Sequence, residues 1–227
     1  MQINLRRLGL AALLACISPG AFAQRVPAKH PVSGRVIAPV MSAAGADWLE
    51  RNERESEENP SKAVAQLGIK PGMTVCDLGA GTGYYAVRMA RLVGDQGKVY
   101  AVDIQPRMLE LLGKRLESAG IRNIVPLLGG ETETNLPADS QDLIILVDVY
   151  HEFSKPQEML RSIRKALKET GRLVLLEFRK EDPAVPIRLE HKMSIADVKA
   201  ELEPEGFRIE KVLDTLPWQH MIFLQKK

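Results

Sequence analysis

A chain of 227 residues, 45% of them hydrophobic and 26% charged, is long enough for one sizeable core and short for two domains. Its 31 basic and 29 acidic residues are interspersed without a long run of Lys or Arg. That balance argues against nucleic acid or an anionic membrane surface as the main partner, because such binding rests on neutralising many phosphates, and it leaves a small molecule as the better match.

The first residues carry only Arg6 and Arg7 as charges. An apolar stretch from Leu8 to Ile17 follows, and then Ser18, Pro19, Gly20 and Ala21-Phe22-Ala23. That order predicts a secretory signal peptide: the apolar run is too short for a spanning helix, and the small residues suit cleavage before Gln24. The predicted organisation is a signal over 1–23, an extended and poorly ordered linker over 24–42 rich in Pro, Ala, Ser and Gly, and one domain over 43–227. The mature protein is then exported, periplasmic and without a stable membrane anchor. Two other readings exist: Leu13-Leu14-Ala15-Cys16 resembles a lipoprotein cleavage box, and a start at Met41 would leave the chain in the cytoplasm. Loss of 1–23 removes two of the 31 basic residues, leaving 29 against 29 acidic ones. Cys16 leaves with it, so Cys76 has no partner for an intrachain disulfide.

A polar stretch from Ala44 to Glu58, with Trp48 and Leu49 among Arg and Glu, predicts a helix over a cleft or a solvated surface helix. Asn59-Pro60 then offers an N-cap and a proline at the first helical position, giving a helix to Leu67 before Gly68. Pro71-Gly72 turns the chain into a strand from Met73 to Leu78. The order then alternates: helix Tyr84 to Val93, strand Lys98 to Val102, helix Pro106 to Ser118, and strands Asn123 to Leu128 and Leu143 to Val147. Helix Pro156 to Leu167, strand Arg172 to Glu177 and a helix from about Ile195 to Glu203 follow. Met108, Leu109, Leu112 and Leu116 share one helix face. Leu143-Ile144-Ile145-Leu146-Val147 lacks alternation, as suits a parallel strand covered on both sides. Phe207 to Leu213 and Met221 to Leu224 succeed each other without a helix and predict an antiparallel pair. The fold class is α/β, doubly wound, with a mostly parallel seven-stranded sheet and a C-terminal antiparallel hairpin.

Val75-Cys76-Asp77-Leu78-Gly79-Ala80-Gly81-Thr82-Gly83 places three glycines where the first strand hands over to a helix. Backbone can approach a ligand closely there, beside the crevice at which strand order reverses. Gly81-Thr82-Gly83-Tyr84-Tyr85-Ala86 also fits the G-x-G-x-x-A form of a dinucleotide fingerprint, so an NAD(P)-dependent oxidoreductase is an alternative. Asp77 weighs against it, because a carboxylate before the first glycine repels a pyrophosphate but attracts the ammonium of S-adenosylmethionine; a helix cap or turn is its structural reading. Asp103, ending Tyr100-Ala101-Val102-Asp103, can accept bonds from both ribose hydroxyls in either case.

Together, Asp77-Leu78-Gly79-Ala80-Gly81-Thr82-Gly83, Asp103 and the strand from Asp142 to Asp148 resemble class I S-adenosylmethionine-dependent methyltransferases over residues 60–227. The resemblance implies S-adenosylmethionine as cofactor and methyl transfer to a small-molecule acceptor. By it, Asp77, Gly79, Gly81 and Gly83 hold the methionine part, Asp103 holds the ribose, Glu131 with Gly130 lies beside the adenine, and Ala80 and Ile104 are further cofactor-binding residues. Many relatives carry an aspartate where this chain has Gly130, so adenine recognition falls to Glu131 or to backbone groups.

On the reacting side, Asp148-Val149-Tyr150-His151-Glu152-Phe153 follows the fourth strand at the carboxyl edge of the sheet. His151 is the candidate general base, Tyr150 could shape or bond an acceptor, and Asp148 could contact the donor. Capping of the next helix is the structural reading of His151 and Glu152. The proline-rich segment through Pro183, Pro186, Arg188 and His191 could form a lid, while Trp218 and His220 read as packing and turn residues. His30, His151, His191 and His220 show no close ligand spacing, so no metal is expected. No G-x-S-x-G element supports a hydrolase. A domain that binds the donor without catalysis shares the same fold-level signals.

Overall fold

The computed structural model describes residues 27–227; the predicted signal over 1–23 lies outside the described residues. Eight strands form one sheet: β1 (Thr74–Leu78), β2 (Lys98–Asp103), β3 (Ile124–Leu128), β4 (Gln141–Val147), β5 (Leu167–Arg179), β6 (Lys192–Met193), β7 (Phe207–Leu213) and β8 (Gln219–Lys226). The order is β3-β2-β1-β4-β5-β8-β7. The first five strands of that path run parallel, and β8 is antiparallel to both β5 and β7. Seven strands were predicted; the extra one, the two-residue β6, pairs with Phe178 and Arg179 of β5. It takes over the β5 edge beyond the point where β4 ends.

Seven helices pack around the sheet: α1 (Ala46–Leu49), α2 (Arg54–Glu57), α3 (Pro60–Gln66), α4 (Tyr84–Val93), α5 (Pro106–Ala119), α6 (Pro156–Ala166) and α7 (Ile195–Leu202). Alternation along the strands sorts the core into two layers. Val75, Leu143, Ile145, Val174 and Phe223 face a layer with α3, α4 and α5. Cys76, Ile144, Leu146, Leu175 and Ile222 face the other, with α6 and α7. Burial on both faces explains why β4 reads as an unbroken apolar run. Pro126 sits in β3, an edge strand, where a missing N–H costs no ladder bond on the open side.

Two segments differ from the sequence expectation. The helix expected over Ala44 to Glu58 is broken into a 3-10 turn at Ala43–Gly45 followed by α1 and α2. Arg54 and Glu58 are drawn inward in the process, Arg54 Nε donating to Glu58 Oε2 at 2.7 Å. β5 begins directly at Leu167, five residues earlier than predicted, because Leu167 pairs with Gln141 before the register shift toward Leu143.

The segment expected to be an extended linker lies packed against the domain over its described part. A bridge between Lys29 and Val36 closes a turn. Inside it, Arg35 donates from Nε and Nη2 to the two oxygens of Glu201 on α7, at 3.0 and 3.1 Å. His30 Nε2 is 3.4 Å from the same carboxylate, with Ser33 also bonded to it, and Ile37 and Ala38 are buried. Burial lowers the His30 pKa despite the acid beside it. Breaking a buried ion pair leaves an uncompensated charge, at a cost of about 3–5 kcal/mol. Glu201→Ala should therefore lower the unfolding free energy by about that amount in urea titrations and expose residues 28–38 to limited proteolysis; unchanged stability would mean that this turn is not anchored through α7.

Candidate functional site

Strand order reverses between β1 and β4, and a cleft of about 810 Å³ opens beyond their carboxyl ends. One wall comes from Leu78, Gly79 and Gly81 after β1 and from Asp103 and Ile104 after β2. Gly129, Gly130 and Glu131 follow β3, and Asp148, Val149 and His151 follow β4. Phe178, Pro186, Ile187, Arg188 and His191 form the far side, so the proline-rich segment does border the cleft.

The glycine bend is shaped by contact as much as by torsion. Gly79 has φ 81°, and a Cβ there would strike the Val149 side chain; Gly81 has φ 54°, and a Cβ would lie 2.7 Å from Leu49 Cδ1. Only glycine meets both demands at once. Gly83 starts α4, and a Cβ on it would meet Leu112. Its role is helix packing, and Ala80 is likewise buried and not part of the cleft lining.

Four amides of this bend, all but that of Thr82, are already engaged. Gly79 and Ala80 donate to the Val102 carbonyl at 2.8 and 2.9 Å, Gly81 to Asp103 Oδ2 at 2.8 Å, and Gly83 to the Ala80 carbonyl at 2.8 Å. A pyrophosphate-binding loop must instead aim free N–H groups at the ligand. With the glycine amides turned inward, the dinucleotide alternative lacks most of such a cradle here.

Carboxylates dominate this end of the cleft. Asp103 Oδ1 accepts from Gln105 N–H at 2.8 Å, so both of its oxygens are oriented by backbone and each retains a lone pair. Burial raises its pKa, with those amides pulling the other way. Asp77 is fully buried under the start of α4; burial pushes its pKa up to about 7, and the Ala86 amide and Arg54 only partly offset this. Asp148 adopts φ 54° and accepts from Gln219 Nε2 at 2.7 Å on Oδ2. Burial first, and then Glu58 and Glu177, raise its pKa well above the carboxylate range. Among the described residues, Asp77 Oδ2 and Asp148 Oδ1 are buried without a hydrogen-bond partner. A cationic ligand group is what such a pair of orphaned acceptors lacks.

The roof is the N-terminal strap. Ala38 N–H donates to the His151 carbonyl at 3.1 Å, and Met41 N–H to Glu152 Oε1 at 3.3 Å. Gln105 spans it, accepting from Ala43 N–H at 2.9 Å and donating to the Met41 carbonyl at 2.9 Å. Thr82 donates to Glu50 Oε1 at 2.6 Å, and Arg115 also pairs with that glutamate. Met41, Trp48, Leu49 and Arg54 face the cleft as a result.

On the reacting side, His151 is buried with Nδ1 2.6 Å from Glu177 Oε2, while Tyr150 N–H donates to Glu177 Oε1 at 3.0 Å. Tyr150 itself corrects the sequence reading: its ring belongs to the core beneath α6 and α7, and its hydroxyl lies 3.4 Å from His30 Nε2. Consecutive residues of a one-turn 3-10 helix, Tyr150–Glu152, point in different directions, so only His151 and Glu152 reach the cleft. The histidines also correct an expectation. His151 Nε2 and His191 Nδ1 are 3.1 Å apart, and the ligand atoms of His151, Glu152 and His191 lie within 4.8 Å of one another. Sequence spacing concealed this, because the pairing is made by β6 carrying residue 191 back to β5. Gly130, Glu131 and the 40%-exposed Ile104 do line the cleft, and Glu131 accepts from Ser154 at 3.0 Å. Arg54, Gln105 and Gln219 were missed; Gln105, two residues beyond β2, carried the one available signal, its position.

The sheet order, the acid ending β2 and a glycine bend whose glycine amides are engaged internally define a Rossmann-like methyltransferase domain. The chain belongs to the class I S-adenosylmethionine-dependent methyltransferases: residues 69–216 match the family model described as a methyltransferase domain. It is similar to the ubiquinone/menaquinone biosynthesis C-methyltransferase UbiE of Vibrio campbellii, 37% identical over 114 residues, which cover 50% of this chain and 44% of that protein. The match thus spans under half the length of such relatives. The structure resembles that of an S-adenosylmethionine-dependent methyltransferase from Aquifex aeolicus, with TM-score 0.77, 27% identity, 82% of this chain and 98% of the other. It also shares its fold with the [4+2]-cyclase SpnF, with TM-score 0.60, 18% identity, 68% of this chain and 58% of the other. The fold alone does not name a reaction.

Asp77 offers a test of the buried-acid description. A carboxyl whose folded pKa is raised to about 7 keeps its proton while the unfolded chain releases it, so it destabilises the ligand-free protein increasingly as pH rises from about 4 to about 7. Asp77→Asn removes that titration. Its stability relative to the parent, read from urea unfolding, should increase across this window and level off above it; a pH-independent difference would contradict an uncompensated acid.

Proposed function

We propose that the chain transfers a methyl group from S-adenosylmethionine to a small-molecule acceptor. The observation that carries this reading is the pair of orphaned buried carboxylates beside a glycine bend whose glycine amides are engaged internally. Asp148, which lines the cleft, would hold the ammonium group, with Asp77 buried outside the lining beneath the start of α4 and Arg54 of the strap facing the donor carboxylate. Asp103 would take the ribose, beside Ile104, and Gly130 with Glu131 would border the adenine. Bound there, the donor supplies a methyl carbon made electrophilic by its sulfonium.

The strap from Ala38 to Arg54 excludes water from this site, and its tethers to Gln105, Thr82 and Glu152 fix where it closes. Glu177 holds His151 through Nδ1, which presents Nε2 to the acceptor side. A group so oriented can take or hold off a proton as the acceptor enters. This favours catalysis over donor binding alone. Pro186, Ile187 and Phe178 give the acceptor an apolar wall, and Arg188 suits a negatively charged substituent.

Export is part of the same proposal. A chain starting at Met41 would lack Arg35 and His30, which occupy Glu201, and Ala38, which binds the His151 carbonyl. Sequencing of the mature protein from fractionated cells should return Gln24 as its first residue, in the periplasmic fraction; a start at Met41 in the cytosol would refute export.

Calorimetric titration should detect one equivalent of S-adenosylhomocysteine and no NADH. Asp103→Ala should weaken that binding by roughly tenfold or more, as expected when about 1.5–3 kcal/mol of hydrogen bonds to a charged acceptor are lost. His151→Ala should bind the product normally and lose turnover against a library of phenols and quinols by roughly 10²- to 10⁴-fold. Binding of NADH, or full turnover in His151→Ala, would contradict the respective assignment.

A further inference from the structure

Three side chains on the acceptor side of the cleft converge without being needed to hold the donor. His151 follows β4, Glu152 is its neighbour, and His191 closes the 3-10 turn Leu189–His191 that leads into β6. The two imidazole rings meet at 85° with centroids 5.1 Å apart, and His151 Nε2 faces His191 Nδ1 at 3.1 Å. Glu152 places a carboxylate oxygen within 4.8 Å of both nitrogens. Ligands at about 2.0–2.2 Å from a common ion stand roughly 3–3.6 Å apart in a tetrahedral set, so small side-chain adjustments suffice.

The surroundings are those of a ligand set. Glu177 holds Nδ1 at 2.6 Å, which leaves Nε2 turned to the cleft; a buried carboxylate behind the imidazole orients it as carboxylates do behind metal-bound histidines. Glu152 Oε1 is steadied by the Met41 amide, and one oxygen is all that coordination requires. All three residues line the open cleft, so protein would fill one side of a coordination sphere and leave the other side accessible.

We propose that His151, His191 and Glu152 bind a divalent first-row transition-metal ion such as Zn²⁺, whose open positions take an oxygen atom of the methyl acceptor. Two imidazoles and a carboxylate match the preferences of such ions. A hydroxyl donating its lone pair to the ion would release its proton to water more readily. The proposal rests on the reading of this cleft as the acceptor site; with the ion bound, His151 Nε2 is a ligand and no longer the base, and the ion eases loss of the acceptor's proton to water in its place.

The test uses the full chain after chelator treatment, titrated with Co²⁺ by visible absorption and with Zn²⁺ by calorimetry, while S-adenosylhomocysteine binding is followed in parallel. One equivalent of Co²⁺ should bind, with a spectrum of nitrogen and oxygen ligands. His191→Ala, at a half-buried position, should keep S-adenosylhomocysteine binding and weaken Co²⁺ at least about tenfold; Glu152→Ala should weaken Co²⁺ to a similar extent, and Glu177→Gln should weaken it roughly 10- to 100-fold. Absence of stoichiometric metal binding in the parent chain, or parent-like affinity in both ligand variants, would overturn the site. Loss of S-adenosylhomocysteine binding with Co²⁺ retained would overturn the donor reading and leave the metal site standing.

Discussion

Burying a carboxylate without a partner is among the more costly things a fold can do, and this one gathers several at the point where its strand order reverses. Asp77, Asp103 and Asp148 all have raised pKa values because burial disfavours their charge. Arg54, itself paired to Glu58, is the cation that tempers both Asp77 and Asp148. The cleft is therefore short of positive charge, and a ligand carrying an ammonium and a sulfonium would relieve that shortage. The glycine bend serves the same end, since it brings backbone close while its glycine amides stay bonded inside the protein.

The N-terminal strap follows from this electrostatic need. A water-filled cleft would screen the acids and weaken their hold on a cation. Residues 38–54 cover it, hung from Gln105, Glu152 and Thr82 and anchored behind by the Arg35–Glu201 pair. The anchor and the roof are one continuous stretch of chain, so α7, far from the glycine bend in sequence, helps decide how the cleft closes. On the opposite side the two-residue β6 performs a comparable service for His191.

Much of this was legible in the sequence. Periodicity and unbroken apolar runs placed the long strands and helices, β5 being the one begun well before its expected start, and Gly79, Gly81, Asp103 and Asp148 were readable because each stands at a strand end, where position alone implies a cleft. Residues whose roles come from long-range contacts were not. Tyr150 was taken for a site residue from its neighbours, yet a one-turn helix rotates it into the core. His191 looked isolated because it stands forty positions beyond His151, in a stretch that carries no trace of the β5–β6 pairing. The strap, poor in apolar period, read as a loose linker and a polar helix; its order comes from buried polar contacts to partners such as Gln105 and Glu201, which a pattern of hydrophobicity cannot register.

Family membership narrows the chemistry without naming the acceptor, and a fold shared with a cyclase is a reminder that the reaction lies in the side chains. The central claim concerns the acids. A crystal structure of the complex with S-adenosylhomocysteine tests it most directly: the ammonium nitrogen should lie within hydrogen-bond distance of Asp148 Oδ1 or Asp77 Oδ2, with the ribose on Asp103. A ligand amino group turned to solvent, with both carboxylates still unpartnered, would contradict it.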